Sequence, residues 1–462
     1  MVSRVTKILI KTILTGFLVL ILSSCTINFY NPNGGYQNRS ANPQVNEVYD
    51  LLNQYYYEEL PLDLTKMETL EELLGYVDPY TYVYKANTRN IETGETYVGV
   101  GLTIQEHPLG LFVSSINPLT DNYHLMYVGD VITKIDDTVL EGLVFEDKTT
   151  LLKGELNEER VLSVTRFDEE ISVTIKLQSV PFNSVVYRIF DKVGYIEINR
   201  FADTTASLFK EALDALEALN IEALVIDVRD NGGGYLSSVT SILENFVYGE
   251  DEYLYLYNVK QDTYGVYKPK CTEKPKSYPI VTLVNGSSAS ASEVLAGVLK
   301  QFDYPVFGER TFGKDVYQVG YAVPSVGENY YLNLTGGYWL LGDMTRVTGG
   351  IVPTKYHVQT GINGLLYPVL SDFYRLGDAS PYIETYQYLI GLSVAGSYEA
   401  GLFDNDFKVM VETYQFMNGL DVSSELDKET ILSLVDLYKT ESLKQEQDHQ
   451  LSAAILYARG LN

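Results

Sequence analysis

Three short segments carry residues whose types and spacing can do chemistry. They are Val228-Arg229-Asp230-Asn231-Gly232-Gly233-Gly234, Asn285-Gly286-Ser287-Ser288-Ala289-Ser290-Ala291-Ser292-Glu293 and Gly308-Glu309-Arg310-Thr311-Phe312-Gly313-Lys314-Asp315-Val316-Tyr317-Gln318. A serine at the start of a helix lies beside unpaired backbone N–H groups and the positive end of the helix dipole, both suited to stabilising an oxyanion. A glycine turn leaving a neighbouring strand can add a second N–H, because no Cβ blocks the approach of a carbonyl. This combination favours acyl transfer, which also needs a base. No histidine occurs in the three segments, whereas Lys314 follows a Phe-Gly turn, and a Ser/Lys pair is a variant of the triad logic. To accept a proton near pH 7 the lysine must be neutral. Burial must then lower its pKa from about 10.4, at about 1.4 kcal/mol per unit, with no carboxylate touching the amine. Gln318, four residues on, can orient Lys314 without adding charge. His107, His124, His357 and His449 are scattered without H-x-x-x-H spacing, so neither a metal nor another cofactor is expected.

These segments need a scaffold of strands and helices. Val193 to Ile198 reads as a strand and Thr204 to Leu219 as a helix, with Leu208, Ala212, Leu216 and Leu219 on one face. Ala223 to Val228 is a strand running into the glycine turn. Ile280 to Val284 is another, running into a helix that carries Val294, Leu295, Val298, Leu299 and Phe302. The alternation predicts an α/β core over residues 180–360. Residues 45–90 read as a small helical element closed by Asp78-Pro79. Residues 96–178 read as short β-branched runs, among them Val98 to Ile104, Leu111 to Val113 and Val131 to Ile135, and residues 361–462 as mainly helical. The glycine turn matches neither G-x-G-x-x-G nor a Walker loop, which excludes a nucleotide site. Ser207-Leu208-Phe209-Lys210 fits S-x-x-K, but it lies on the polar face of an amphipathic helix with no S-D-N or K-T-G partner, as solvated surface does. The small residues at 288–290 could serve only close strand–helix packing; the Lys314 segment tips the balance toward catalysis.

Ser288-Ala289-Ser290-Ala291-Ser292-Glu293 and Phe312-Gly313-Lys314, with Gln318 four residues after the lysine, resemble the C-terminal processing peptidases, also called tail-specific proteases. The resemblance runs from about residue 45 to about residue 358. It implies a multidomain α+β protein: a crotonase-like α/β protease core, an inserted β-rich PDZ domain, an N-terminal helical element and a mainly helical C-terminal region. It also implies a serine endopeptidase with Ser290 as nucleophile, Lys314 as general base and Gln318 as its supporting amide. The backbone N–H groups of Gly233 and Ala291 would form the oxyanion hole. Three positions depart from the family pattern: Gly232 for proline, Asp315 for glycine and Thr354 for aspartate. Only Asp315 bears on mechanism, since a carboxylate there could raise the pKa of Lys314; neighbours on an extended chain point to opposite sides, so it is expected to face away.

Gly129-Asp130-Val131-Ile132-Thr133-Lys134-Ile135-Asp136-Asp137, followed by Gly142, is similar to the corresponding stretch of PDZ domains. Gly99, Val100, Gly101 and Leu102 then fall where such domains bind a peptide's terminal carboxylate through converging N–H groups. Polypeptides with free C-termini are the implied substrates. The alternative, Gly-Val-Gly as a mere tight strand entry, is the blander reading of the same residues. The stretch Val411 to Leu434 resembles peptidoglycan-binding-like helical modules, with Glu425 where a glycine is expected. A structural or homodimerising appendage is favoured there over a cell-wall-binding one.

The first 25 residues carry Arg4, Lys7 and Lys11, an apolar run from Ile13 to Leu22, and Leu22-Ser23-Ser24-Cys25. They read as a secretory signal whose ending is similar to a bacterial lipobox, so Cys25 is the expected lipidation site and the lipid the membrane anchor. An uncleaved anchor helix is the alternative, and either places the chain outside the cytoplasm. Residues 26–44, rich in Asn, Gly, Ser and Pro, fit a flexible tether. Once Cys25 is acylated, Cys271 has no disulfide partner. The formal charge of −27, without a compensating Lys/Arg stripe, excludes nucleic acid as a partner. A rival reading of the whole chain is a non-catalytic PDZ lipoprotein that binds C-terminal tails as a scaffold or sensor.

Overall fold

The computed structural model describes residues 39–85, 96–181, 184–368, 370 and 372–460; the expected signal segment with Cys25 and most of the expected tether lie outside them. The N-terminal element opens with α1 (Pro43–Tyr55), capped by the Asn42 side chain on the Gln44 N–H, with Pro43 at the first helical position. A short α2 (Leu70–Leu74) follows, held by a Thr69/Glu72 capping box. The helical element expected over residues 45–90 includes a strand at its end. Tyr82–Lys85 form strand β1, which pairs antiparallel with a strand more than 200 residues downstream.

Residues 96–181 form a β-rich unit from β2 (Thr96–Gly99), β3 (Leu102–His107), β4 (Gly110–Ile116), β5 (Val131–Ile135), β6 (Thr138–Val139), α3 (Phe145–Thr150), β7 (Glu159–Arg166), β8 (Glu169–Lys176) and β9 (Gln178–Pro181). The expected continuous run from Val98 to Ile104 is split. Thr96–Gly99 pair with β9 in a two-stranded ribbon, and Leu102 onward joins a separate antiparallel sheet of order β3-β4-β5-β7-β8. Gly101, at φ +70°, makes the break.

The α/β core follows: β10 (Val185–Phe190), β11 (Val193–Ile198), α4 (Thr205–Ala218), β12 (Ala223–Asp227), α5 (Leu236–Leu243), β13 (Leu254–Asn258), β14 (Thr263–Tyr267), β15 (Ile280–Val284), α6 (Ala291–Gln301), β16 (Val306–Gly308), β17 (Val316–Ala322), β18 (Tyr330–Leu341) and β19 (Lys355–Tyr356). One sheet has the order β10-β11-β12-β15-β16-β19 and is parallel from β11 onward. Every residue of β12 and β15 is buried, which is why both read as unbroken apolar runs rather than alternating ones. Helices α4, α5 and α6 cover one face through Phe209, Leu213, Leu243, Leu295 and their neighbours. Leu219, expected on the buried face of α4, is instead exposed just past the helix end. A second, antiparallel sheet built on β18 carries β17 along one side and β1 and β13 along the other, with β14 outermost. It is absent from the sequence-based expectation, and it brings the N-terminal element onto the α/β core.

The C-terminal region consists of α7 (Pro381–Gly391), α8 (Asn405–Met417), α9 (Lys428–Glu441) and α10 (His449–Ala458). Helices α7 to α9 share a core that also takes in Tyr127 of the β-rich unit. Lys439 on α9 is fully buried there: its Nζ donates to the Tyr123 and Met126 carbonyls, both at 2.9 Å, over the Tyr127 ring. Helix α10 lies on the opposite face of the core's first sheet, packing Leu451, Ala454, Ile455 and Ala458 against Val193, Val225, Leu283 and Phe307. Arg229 anchors its start, donating to both oxygens of Asp448 at 2.9 and 2.7 Å while also pairing with Asp227. The observed architecture is mixed α+β, as expected.

Candidate active site

The three segments singled out in the sequence meet at the carboxyl ends of β12 and β15. Asn231, fully buried, receives the Ala289 N–H at 3.0 Å and the Ser292 hydroxyl at 2.8 Å on its carbonyl, while its own side chain donates to Ile198 O. The Ser288 hydroxyl donates to Val228 O at 2.7 Å, and the Phe312 N–H to Ser288 O at 3.0 Å. Ser288 and Ser292 are thus committed to stitching loops together. Ser290 alone among the serines of the run lines the adjacent cavity of about 790 Å³.

Ser290 precedes the first turn of α6 with φ 56° and ψ −115°, a backbone conformation that costs a non-glycine residue about 1–3 kcal/mol. Glu293 holds it there. Its carboxylate, fully buried, accepts four hydrogen bonds: the Ser290 N–H (2.9 Å) and Lys314 N–H (2.8 Å) on Oε2, the Thr311 hydroxyl (2.7 Å) and Gly313 N–H (2.6 Å) on Oε1. Burial pushes the Glu293 pKa up, and these four donors oppose that rise. One side chain therefore fixes the backbone at both Ser290 and Lys314. Gly313 can be nothing larger: at φ +98° its Cβ would stand 2.8 Å from the backbone nitrogens of Gly349 and Gly350.

Lys314 lines the same cavity, half-buried, with Nζ 4.3 Å from the centroid of the Tyr80 ring and donating to Gln318 Oε1 at 2.9 Å. Burial lowers its pKa from the ordinary 10.5; Asp78 and then Glu293 pull it part of the way back. No carboxylate touches Nζ, as the sequence-based requirement has it, but Asp78 and Glu293 still act on the amine through space. Asp315 faces away, as expected. Its carboxylate accepts from Arg346 Nε (2.7 Å) and the Thr348 hydroxyl (2.6 Å). Thr354, another departure from the family pattern, accepts the Val306 N–H on its hydroxyl, and a side chain at Gly232 would meet open space.

Of the two expected oxyanion donors, Ala291 has an N–H with no acceptor among the described residues, as the first residue of a helix should. Gly233 abuts the serine: at φ +108°, an added Cβ would lie 2.8 Å from Ser290 Cβ. Its N–H, however, donates to Asn231 Oδ1 at 2.8 Å and so is engaged within the turn. The candidate carboxylate loop lies apart from this cavity. Gly99 ends β2 and Leu102 begins β3, an edge strand of its sheet; the N–H groups of Val100 and Gly101 have no acceptor among the described residues. Sequence reasoning assigned no role to Glu293, Asp78, Tyr80 or Thr335. Only Glu293 gave a signal, as the third residue after Ser290 at a helix start.

The chain was compared with known proteins on this footing. Residues 192–356, which contain Ser290, Lys314 and Gln318, match the model of peptidase family S41. A probable CtpA-like serine protease of Staphylococcus aureus (strain bovine RF122 / ET3-1) is 29% identical over 452 residues, spanning 95% of this chain and 90% of that protein. Its namesake in Staphylococcus saprophyticus is 25% identical over 398 residues, covering 84% and 80%. Among solved structures, the photosystem II D1 C-terminal processing protease is similar at 20% identity and a TM-score of 0.45, covering 68% of this chain and 92% of that one. The chain is a serine peptidase whose residues 192–356 are similar to peptidase family S41.

Proposed function

We propose that this peptidase is an extracytoplasmic, lipid-anchored endopeptidase that cleaves polypeptides near their C-termini, with Ser290 as nucleophile and Lys314 as general base. The observation that carries the reading is the shared tether: Ser290 and Lys314 line one cavity and are held to the same buried carboxylate, Glu293. In this scheme neutral Lys314 takes the Ser290 hydroxyl proton as the oxygen attacks the scissile carbonyl, then returns it to the leaving amine. The Ala291 N–H, at the positive end of α6, stabilises the oxyanion. A second donor requires either release of the Gly233 N–H from Asn231 or another amide of the glycine turn. The cavity wall formed by Tyr80, Tyr82, Tyr84, Tyr235 and Trp339 suits apolar side chains of an extended substrate.

For residues 96–178 we propose a PDZ domain that takes the substrate's tail. The two unpaired N–H groups at Val100 and Gly101 precede an edge strand, β3, that a peptide could extend by strand addition. Cys25 would carry the lipid that keeps the enzyme at the membrane. Protein lacking residues 1–25 should degrade an unfolded polypeptide, and Ser290→Ala and Lys314→Ala should abolish this while binding of a C-terminal peptide persists. The wild-type rate should rise with pH, because the neutral lysine is the active form, along a limb lying below 10.5. Equal proteolysis by wild type and Ser290→Ala would refute the assignment.

A further inference from the structure

The N-terminal element reaches the peptidase site through Asp78. Its Oδ1 accepts the Tyr80 N–H (2.7 Å) and the Thr335 hydroxyl (3.2 Å), and its Oδ2 the Thr81 hydroxyl (2.9 Å). Thr335, fully buried on β18, is also 3.2 Å from Gln318 Nε2, and its N–H donates to the Thr81 hydroxyl oxygen at 3.1 Å. Gln318 in turn meets Lys314 Nζ. We propose that Asp78 and Thr335 are positioning residues of the peptidase, completing a relay Asp78–Thr335–Gln318–Lys314 that dictates which end of the Gln318 amide the base meets.

Hydrogen-bond bookkeeping makes the relay directional. A carboxylate can only accept and a hydroxyl has one proton: the Thr81 hydroxyl, 3.3 Å from Thr335 Oγ1, gives its proton to Asp78 Oδ2, Thr335 gives its own to Asp78 Oδ1, and only lone pairs of Thr335 are left facing Gln318. The amide end that satisfies those lone pairs is the donor Nε2, which turns Oε1 toward Lys314. An acceptor there takes one N–H from the amine whether charged or neutral, and leaves the lone pair of the neutral amine for the Ser290 proton. Were the amide reversed, its NH2 would compete for that lone pair and the base would be lost. The Asp78 backbone is itself fixed, its N–H donating to the hydroxyl of the fully buried Tyr56 at 2.9 Å. Loop 78–81 is accordingly part of the active site, although it precedes the matched peptidase segment by more than 100 residues.

The charge of Asp78 has a second effect, on the pH at which the base becomes available. The groups facing Lys314 are Asp78 and the Tyr80 ring from the N-terminal element and Glu293 from α6; Asp315 is turned toward Arg346, and Arg200, Tyr235 and Tyr317 line the same cavity. Of the carboxylates, Asp78 is the stronger influence on the amine. Removing its charge while keeping an acceptor for Thr335 should therefore favour the neutral amine.

The relay rests on the Ser290/Lys314 reading, and the experiment separates the two. Kinetics on an unfolded reporter polypeptide are measured across pH for wild type, Thr335→Val, Thr335→Ser and Asp78→Asn, with Ser290→Ala and Lys314→Ala alongside and thermal unfolding as a check on folding. Thr335→Val should lower kcat about 10- to 100-fold with KM little changed, and Thr335→Ser should restore it, because the hydroxyl and not the methyl orients the amide. Asp78→Asn should move the acid limb of kcat/KM to lower pH. A folded Thr335→Val with wild-type kcat overturns the relay, and an Asp78→Asn profile superimposable on wild type overturns the charge effect of Asp78. If Thr335→Val does not fold, Thr335→Ala, which also removes the hydroxyl, decides on the same kcat criterion. Activity surviving Ser290→Ala or Lys314→Ala would instead remove the Ser/Lys reading beneath it.

Discussion

Glu293→Gln is the substitution that most directly probes how the site is held. The carboxylate gives two donors to each oxygen, Thr311 and Gly313 on one, Ser290 and Lys314 on the other. An amide keeps only one accepting oxygen, so its NH2 must face one of these pairs. Facing Ser290 and Lys314 it strands two backbone N–H groups; facing Thr311 and Gly313 it strands one, since Thr311 can turn its hydroxyl. Each stranded buried donor costs about 1–3 kcal/mol, and the surviving pair exchanges charge-assisted for neutral hydrogen bonds, about 1 kcal/mol each. Relief of the desolvation that pushes Glu293 up offsets part of this. The net loss is about 2–4 kcal/mol, with kcat reduced because Ser290 and Lys314 no longer share a tether. The single tryptophan, Trp339, reports on this locally: it is buried and donates its indole N–H to Lys314 O at 3.0 Å. Urea unfolding followed by its fluorescence should shift to lower midpoint at unchanged slope. A variant whose midpoint and kcat both match wild type would refute the claim that this carboxylate fixes the site.

Other consequences can be checked separately. Gly233→Ala places a Cβ 2.8 Å from Ser290 Cβ at a φ that alanine resists, so proteolysis should fall at least 10-fold, while the C-terminal helices stay folded by hydrogen exchange. Asp448→Ala leaves Arg229 with Asp227 and the Gln450 amide oxygen and should cost about 2 kcal/mol, seen as early exchange of α10 amides; unchanged protection would count against the anchor. Lys439 is held by burial at a pKa of about 8 in the folded chain, against 10.5 unfolded. Between those values the unfolded state binds more protons, so this group adds stability as pH rises, up to about 3 kcal/mol. The wild-type urea midpoint should therefore rise relative to that of Lys439→Met between pH 7.5 and 9.5; a pH-independent difference would contradict the assignment.

The central strands were legible because parallel strands buried on both faces leave continuous apolar runs, as in Ala223–Asp227 and Ile280–Val284. Helix α4 was legible by its period. The antiparallel sheet was not: β17 carries Gly320 and β18 carries Asn333, Gly336 and Gly337, and their partners are set by tertiary contact rather than local pattern. The same division applies to the site. Ser290, Lys314 and Gln318 stood out by residue type and spacing. Asp78 read only as a helix stop beside Pro79, because its meeting with Thr335 spans 257 positions. Glu293 was legible only as the cap of the Ser290 amide; its bonds to Thr311, Gly313 and Lys314 come from a loop about 20 residues away and no local spacing encodes them.

The covering of the catalytic sheet by α10 also governs when this enzyme can exist as one. Val193, Val225, Leu283 and Phe307 present an apolar face that Leu451, Ala454, Ile455 and Ala458 cover. A chain that folds from its N-terminus as it emerges will have made every strand of that sheet, and the serine and lysine with them, before its cover arrives. Until residues 449–458 are in place, the core carries an open hydrophobic face and lacks the Asp448 clasp on Arg229 beside the glycine turn. Activity is thereby tied to completion of the chain, and a molecule clipped before residue 449 should be a poorly soluble, inactive species rather than a stray protease.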